Sequence, residues 1–280
     1  MPWTANSGNT YNLCLLDTNA LSEIIKYPKV EGRGFVERFG PSSFVPCFSV
    51  YNLIELRRKQ SLFDEFVAFF AKYPCILLKP QPMILNEEKR SHVNMSIVSL
   101  LMHAFSPLGH NSSYDLRLPI DKLFSREEFA KLEQNWSNEE SATLLIWLAQ
   151  KSNFKPKCSV PNAADADDYV MEAGIQSLLA SDLQWAQTEI NAGRIPNINN
   201  FPSLKVMLYS QYYRLHDPHW EPKSQEVADV LIMSAAPYMD VVVTEAFQAE
   251  ILKKIRKKVV GLEKLQIATL KDIRFKVEEN

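Results

Sequence analysis

The sequence predicts an α/β protein: a parallel sheet flanked by helices, interrupted by an all-helical insertion. Three observations carry this expectation. Short apolar runs alternate with helix-spaced segments over residues 1–80, the same rhythm returns over residues 216–280, and between them strand signals nearly vanish. The expected organisation is one α/β unit assembled from both ends of the chain, with residues 81–215 as the insertion.

Taken in order, residues 12–16 form a short apolar strand that ends at Asp17. Residues 20–26 carry helical spacing and stop before Pro28. Residues 44–48 read as a second buried strand, and Ser49 as the N-cap of a helix running through Leu53, Ile54 and Leu56 into Arg57-Arg58-Lys59. Phe63, Phe66, Val67, Phe69 and Phe70 give an amphipathic helix, and residues 75–79 a third strand. In the middle block, Ser137-Asn138-Glu139-Glu140 has the form of a capping box ahead of Leu144, Leu145, Trp147 and Leu148. Residues 165–190 and 204–215 read as further helices, separated by Ile195-Pro196-Asn197 and Pro202. The last stretch offers a helix from Ser224 to Ala235 that Pro237 ends, a strand at 241–243, a helix at 246–257 and a strand at 266–270.

Composition removes many alternatives. The 280 residues include 31 Lys+Arg against 33 Asp+Glu, and this near-neutral balance argues against a broad DNA-coating surface. Glycine numbers only 8, too few for many hairpins or phosphate-cradling loops. The nearest approach to a nucleotide loop, Gly32-Arg33-Gly34-Phe35-Val36-Glu37, fails at its last position and follows no strand. Cys14, Cys47, Cys75 and Cys158 form no Cys-x-x-Cys pair, so a zinc cluster is not expected; Cys14 and Cys75 lie in apolar runs as small hydrophobes. The chain lacks a basic n-region and any run of about 18 apolar residues, so neither a signal peptide nor a membrane span is expected. A reduced, cytoplasmic protein follows, in which the sequons at Asn94, Asn111 and Asn135 carry no meaning.

Four acids stand in apolar surroundings. Asp17 follows Leu13-Cys14-Leu15-Leu16, Glu55 sits between Leu53-Ile54 and Leu56, Asp229 precedes Val230-Leu231-Ile232-Met233, and Glu245 follows Val241-Val242-Val243-Thr244. Burying one isolated carboxylate costs on the order of several kcal/mol. Asp17 and Glu245 fall just past strand ends, where open α/β sheets bind ligands. If the four converge, each pair about 4 Å apart repels by roughly 4 kcal/mol at an effective dielectric near 20. Protons or cations must relieve that, and oxygen donors without His or Cys suit Mg²⁺ or Mn²⁺.

These residues carry a resemblance. Leu15-Leu16-Asp17-Thr18-Asn19-Ala20-Leu21-Ser22-Glu23-Ile24 resembles the opening motif of PIN-domain ribonucleases, the fold of VapC-type toxins. Ser49-Val50-Tyr51-Asn52-Leu53-Ile54-Glu55-Leu56 is similar to their second motif. Asp229-Val230-Leu231-Ile232 and Pro237-Tyr238-Met239-Asp240-Val241-Val242-Val243-Thr244-Glu245 resemble the third and fourth motifs of larger PIN-like proteins. The resemblance implies a Mg²⁺- or Mn²⁺-dependent endoribonuclease that hydrolyses RNA through a metal-activated water. It implies metal ligation by Asp17, Glu55, Asp229 and Glu245, with Asn19 and Thr244 orienting ligands or the scissile phosphate. Glu245 stands where the family usually has Asp, and the middle block has no counterpart. The alternative is a catalytically inactive PIN-like module that binds RNA or protein. A homodimer and a protein inhibitor are further partners such a family brings to mind; a membrane is not.

Lesser signals have local readings. Lys253-Lys254-Ile255-Arg256-Lys257-Lys258 and Arg57-Arg58-Lys59 are either phosphate contacts or solvated helix faces. His216-Asp217-Pro218-His219 reads as a loop rather than a metal pair, because Pro218 breaks any helix that would align the rings. Asp165, Asp167 and Asp168 read as helix-start acids, and Tyr209, Tyr212 and Tyr213 as core at helical spacing.

Overall fold

The computed structural model describes residues 3–4, 8, 10–40, 42–91, 95–105, 115–154, 162–194 and 196–274. Cys158 and the sequons at Asn94 and Asn111 lie outside the described residues; Asn135 is an exposed position on a helix.

The sheet forms because several runs of consecutive apolar residues have both faces covered. Strands β2 (Thr10–Leu16), β3 (Phe44–Ser49), β4 (Cys75–Leu78), β6 (Val241–Thr244) and β7 (Gln266–Thr269) lie parallel; Leu13 to Leu16 have no exposed surface. Near-continuous hydrophobicity is what a parallel strand buried on both sides requires. The spatial order is β5-β4-β3-β2-β6-β7, with β1 (Trp3–Thr4) antiparallel to β2 and β5 (Leu101–Phe105) antiparallel to β4. The chain therefore leaves β2 toward β3 and β4 on one side and later returns to β6 on the other. That reversal opens a crevice past the carboxyl ends of β2 and β6.

Helices follow the strands. α1 (Thr18–Lys26), α2 (Glu31–Phe39), α3 (Val50–Arg57) and α4 (Gln60–Phe70) cover the first half, where Phe48 meets Phe66 and Phe70 edge to face and those two tilt against each other, with centroids 4.9–5.3 Å apart. Ser49 caps α3 as expected: its hydroxyl accepts from the Tyr51 N–H, and its own N–H donates to Asn52 Oδ1 at 2.7 Å. α2 falls where no helix was expected. Two interior glycines weaken its helical signal, yet Gly32 is needed there, since a Cβ would stand 2.8 Å from the Ile24 carbonyl and 2.9 Å from the Phe69 ring.

Residues 81–215 are mostly helical: α5 (Gln81–Ser91), α6 (Ile97–Leu100), α7 (Arg117–Phe124), α8 (Glu127–Asn153), α9 (Ala163–Ser181), α10 (Leu183–Asn191) and α11 (Pro202–His216). The all-helical expectation is corrected by β5, an edge strand whose His103 and Ala104 are exposed and whose residues show no apolar–polar alternation. The capping box at Ser137 is corrected as well. No breaker precedes it, and α8 runs unbroken through it; the Ser137 hydroxyl instead accepts from Arg58 at 3.0 Å. The expected helix at 165–190 is broken at Asp182, whose carboxylate caps α10 through the Trp185 N–H. α11 is buried along nearly its whole length and packs on the later helices α12 (Gln225–Met233) and α13 (Ala246–Ile255), so it shares the core of the α/β unit.

One buried acid explains how that helix is held. Glu88 of α5 has no exposed surface and accepts from the Ser203 N–H at 2.8 Å, the Ser203 hydroxyl at 2.7 Å and the Tyr238 hydroxyl. It serves the N-terminus of α11, which has no side-chain cap of its own. Among the described residues, no helix is long and apolar enough to cross a membrane.

Gly261 has φ +95°, and a Cβ there would stand 2.1 Å from the Pro237 carbonyl oxygen, whereas Gly193 at φ +70° faces open space. Gly193→Ala is expected to lose about 1 kcal/mol and Gly261→Ala distinctly more, read from paired urea melts.

Candidate metal centre

Asp17 closes β2 and opens α1. Its Oδ1 accepts the Ala20 N–H at 2.6 Å, a helix cap, and its Oδ2 accepts the Glu245 N–H at 2.9 Å, at the end of β6. One carboxylate therefore ties together the ends of the two strands that flank the switch point. The Thr244 hydroxyl is buried beside it without a well-formed hydrogen bond, yet of the groups that favour the charged Asp17 it acts most strongly. Glu55, on α3, is placed by a short relay: Asn52 Nδ2 donates to Thr18 Oγ1 at 3.0 Å, and the Thr18 hydroxyl donates to Glu55 Oε2. Asp229 lies buried on α12, and Glu245 is the half-buried N-cap residue of α13.

The four acids form one electrostatic group. Burial raises Asp17 from the ordinary 3.8 to about 6, against the opposing pull of its hydrogen bonds and with a push from Glu245. Burial raises Glu55 from 4.5 to about 7, with Glu140 and Asp17 adding repulsion. Burial raises Asp229 from 3.8 to about 8, and Asp17, Glu55 and Glu245 all push in the same direction. A hollow of about 460 Å³ lies alongside, lined by Asn19, Asp229, Glu245, Glu226, Lys223 and Trp220 among others. The six residues singled out from sequence thus gather at one end of the sheet, with Asn19 exposed at the mouth of the hollow.

Sequence reasoning passed over Arg214. This guanidinium on α11 is fully buried beneath the acids; Nη1 donates to Gln248 Oε1 at 2.9 Å and to the Ser210 carbonyl at 3.3 Å, and Nε lies 3.6 Å from Glu226. Nε and Nη2 make no hydrogen bond among the described residues. Its charge acts on Glu226, Asp229 and Glu245 and offsets part of their repulsion. The available signal was an arginine inside the aromatic-rich run from Leu208 to Leu215, at a helix position that the flanking tyrosines mark as core.

The other sequence candidates have structural employment. Arg57 pairs with Asp121 and with Glu133, and Arg58 with Glu140, binding α3 to the insertion. Lys253 pairs with Glu250, Lys258 with Asp167, and Arg256 donates to the Leu265 carbonyl. Asp165 lies in the first turn of α9, as a helix-start acid should; Asp167 accepts from Tyr209 and Lys258. α11 ends at His216, so His216 and His219 flank a turn rather than align on a helix.

As to a cation, the donors facing the crevice are oxygens, and their charge is only partly offset. Among the described residues, no three His, Cys, Asp or Glu side chains converge closely enough to hold one ion by direct ligation alone. The set suits a hard ion that keeps several of its waters, as Mg²⁺ does. No protein-family model, curated protein or solved structure matches this chain.

Two outcomes follow. All three raised acids keep protons that the unfolded chain sheds near pH 4, so stability falls as pH climbs from there through about 8. Thermal melts should therefore show a lower Tm near pH ~8.5 than near pH ~5.5, and Mn²⁺ should recover more of it at the higher pH. Arg214→Met should destabilise the protein by about 3 kcal/mol at high pH and by less at low pH, where the neighbouring acids are protonated and need no cation.

Proposed function

We propose that this chain is a PIN-like, Mg²⁺- or Mn²⁺-dependent endoribonuclease. The observation that carries the proposal is the meeting of Asp17, Glu55, Asp229 and Glu245, from four separate segments, at the switch point of a mostly parallel sheet. Structural acids of this kind are normally paired one to one with cations or helix ends. Here Arg214 is the single buried cation that acts on Asp229, while three acids act on it.

When bound, a divalent ion supplies an acidified water and neutralises charge on the phosphodiester. The chain's own residues have the remaining tasks. Asp17, Glu55, Asp229 and Glu245 hold the ion directly or through its waters, and Asn52 and Thr18 fix the reach of Glu55. Thr244 and the N–H of Glu245 keep Asp17 oriented, and Asn19 stands at the mouth of the hollow to meet the phosphate. Glu245, one methylene longer than an Asp, sets its carboxylate further from the strand end. RNA is the proposed substrate, in single-stranded or looped form, and the compartment is the cytoplasm. The PIN resemblance of the four motifs supports this reading and brings with it the proposal of a protein inhibitor and of a homodimer.

A second reading, a catalytically silent PIN-like binding module, draws on the absence of a directly ligating trio among the described residues. Calorimetry with Mn²⁺ separates the two. Uptake by the wild type that Asp229→Asn abolishes supports the nuclease; no uptake by the wild type supports the module.

The wild type is expected to cleave mixed RNA with Mn²⁺, while Asp17→Asn and Asp229→Asn lose at least about a hundredfold in rate and chelator stops all cleavage. Equal cleavage by all three proteins would reject the assignment.

A further inference from the structure

A second hollow, of about 270 Å³, adjoins the first, and Asp217 and Phe247 line both. Its walls are the rings of Tyr213 and Phe247 with Ile251 and Pro218, and Lys254 stands at its edge. The volume is small for a drug-sized ligand and suits one planar heterocycle. Phe247 is 38% exposed, a large apolar ring left facing solvent at the wall between the two hollows. The Arg214 guanidinium lies 5.3 Å from its centroid on the buried side and fixes the ring from behind.

His216 is one of the lining residues, and it carries a buried polar atom with no hydrogen-bond partner among the described residues. The residue is 6% exposed, and the atom is Nε2. The rings packed on the imidazole, Phe154 at 6.0 Å and Tyr212 at 5.7 Å, present aromatic surface to it. An orphaned ring nitrogen beside an aromatic cavity asks for a ligand that is apolar on its faces and polar on its edge. Asp217 and Glu250 at the rim disfavour an anion inside, so the group that enters is uncharged.

We infer that this hollow receives one nucleobase of a single-stranded RNA, stacked on Phe247 and hydrogen-bonded at its edge by His216 Nε2, with Lys254 close to the phosphate on the outer side. The inference rests on the nuclease reading for the placement of the neighbouring phosphodiester among the four acids. Stacking on an aromatic side chain accepts any base, whereas a single imidazole contact adds a preference between base edges.

The test uses the full chain and a short single-stranded RNA carrying one 2-aminopurine, with Ca²⁺ replacing the catalytic ion to hold the strand intact. The wild type should quench the probe on binding. Phe247→Ala and His216→Phe should each weaken binding about tenfold or more, and His216→Gln, which keeps an edge donor, should recover part of the loss. An otherwise identical strand with an abasic site should bind the wild type and both weakened variants alike. His216→Phe preserves ring packing, and melting curves confirm that each variant folds. Unchanged quenching and affinity in both Phe247→Ala and His216→Phe would overturn the subsite, while Asp17-dependent cleavage by the same proteins with Mn²⁺ in place of Ca²⁺ would leave the nuclease reading intact. Quenching that these variants lose, in a wild type that never cleaves, would keep the subsite and end the nuclease reading. No quenching by the wild type, with tight binding of a peptide bearing an exposed Trp instead, would assign the hollow to a protein partner and overturn the proposal.

Discussion

The carboxylate of Asp17 is the joint on which the site depends. It accepts one N–H from its own helix and one from Glu245, more than two hundred positions away in the chain. That second bond joins the start of α13 to the end of β2, beside the backbone bond from the Asp17 N–H to the Val243 carbonyl at 3.1 Å. Because both bonds to the carboxylate favour the charged oxygen while burial opposes it, the group is held between two protonation states.

Buried charge is handled in two different ways in this molecule. Glu88 is surrounded by donors from Ser203 and Tyr238, and it docks α5 onto the start of α11. Its surroundings are complete, and its role ends with architecture. Glu55 and Asp229 lack such a ring of donors and instead face other acids, with Arg58 a partial counterweight to Glu55 and Arg214 to Asp229. That contrast separates an acid whose oxygens are fully matched by donors from acids whose charge the fold matches only in part.

The middle of the chain is tied to the α/β unit by charge at its rim and by apolar burial within. Arg57 and Arg58 leave the acid-bearing helix α3 and grip α7 and α8 through Asp121, Glu133 and Glu140. α11 then returns into the core, carrying Arg214 behind Phe247 and Glu226, and His216 to the wall of the second hollow. The insertion thus supplies side chains to the site's surroundings as well as covering part of the sheet.

By itself the sequence determined the strand–helix rhythm, because buried parallel strands and capped helices are written locally, in Leu13-Cys14-Leu15-Leu16, in Val241-Val242-Val243 and in Ser49 with Asn52. It also marked the four acids, since a carboxylate beside an apolar run is costly wherever it lands. It could not reveal β5, whose half-exposed residues lack a pattern, nor α2, whose Gly32 is explained only by the Phe69 ring pressed against it. The tertiary structure alone decided that β6 lies beside β2, which makes neighbours of Asp17 and Glu245, and that Arg214 sits beneath them. Strand order and long-range charge pairing are set by how the layers pack, and no local stretch of chain encodes either.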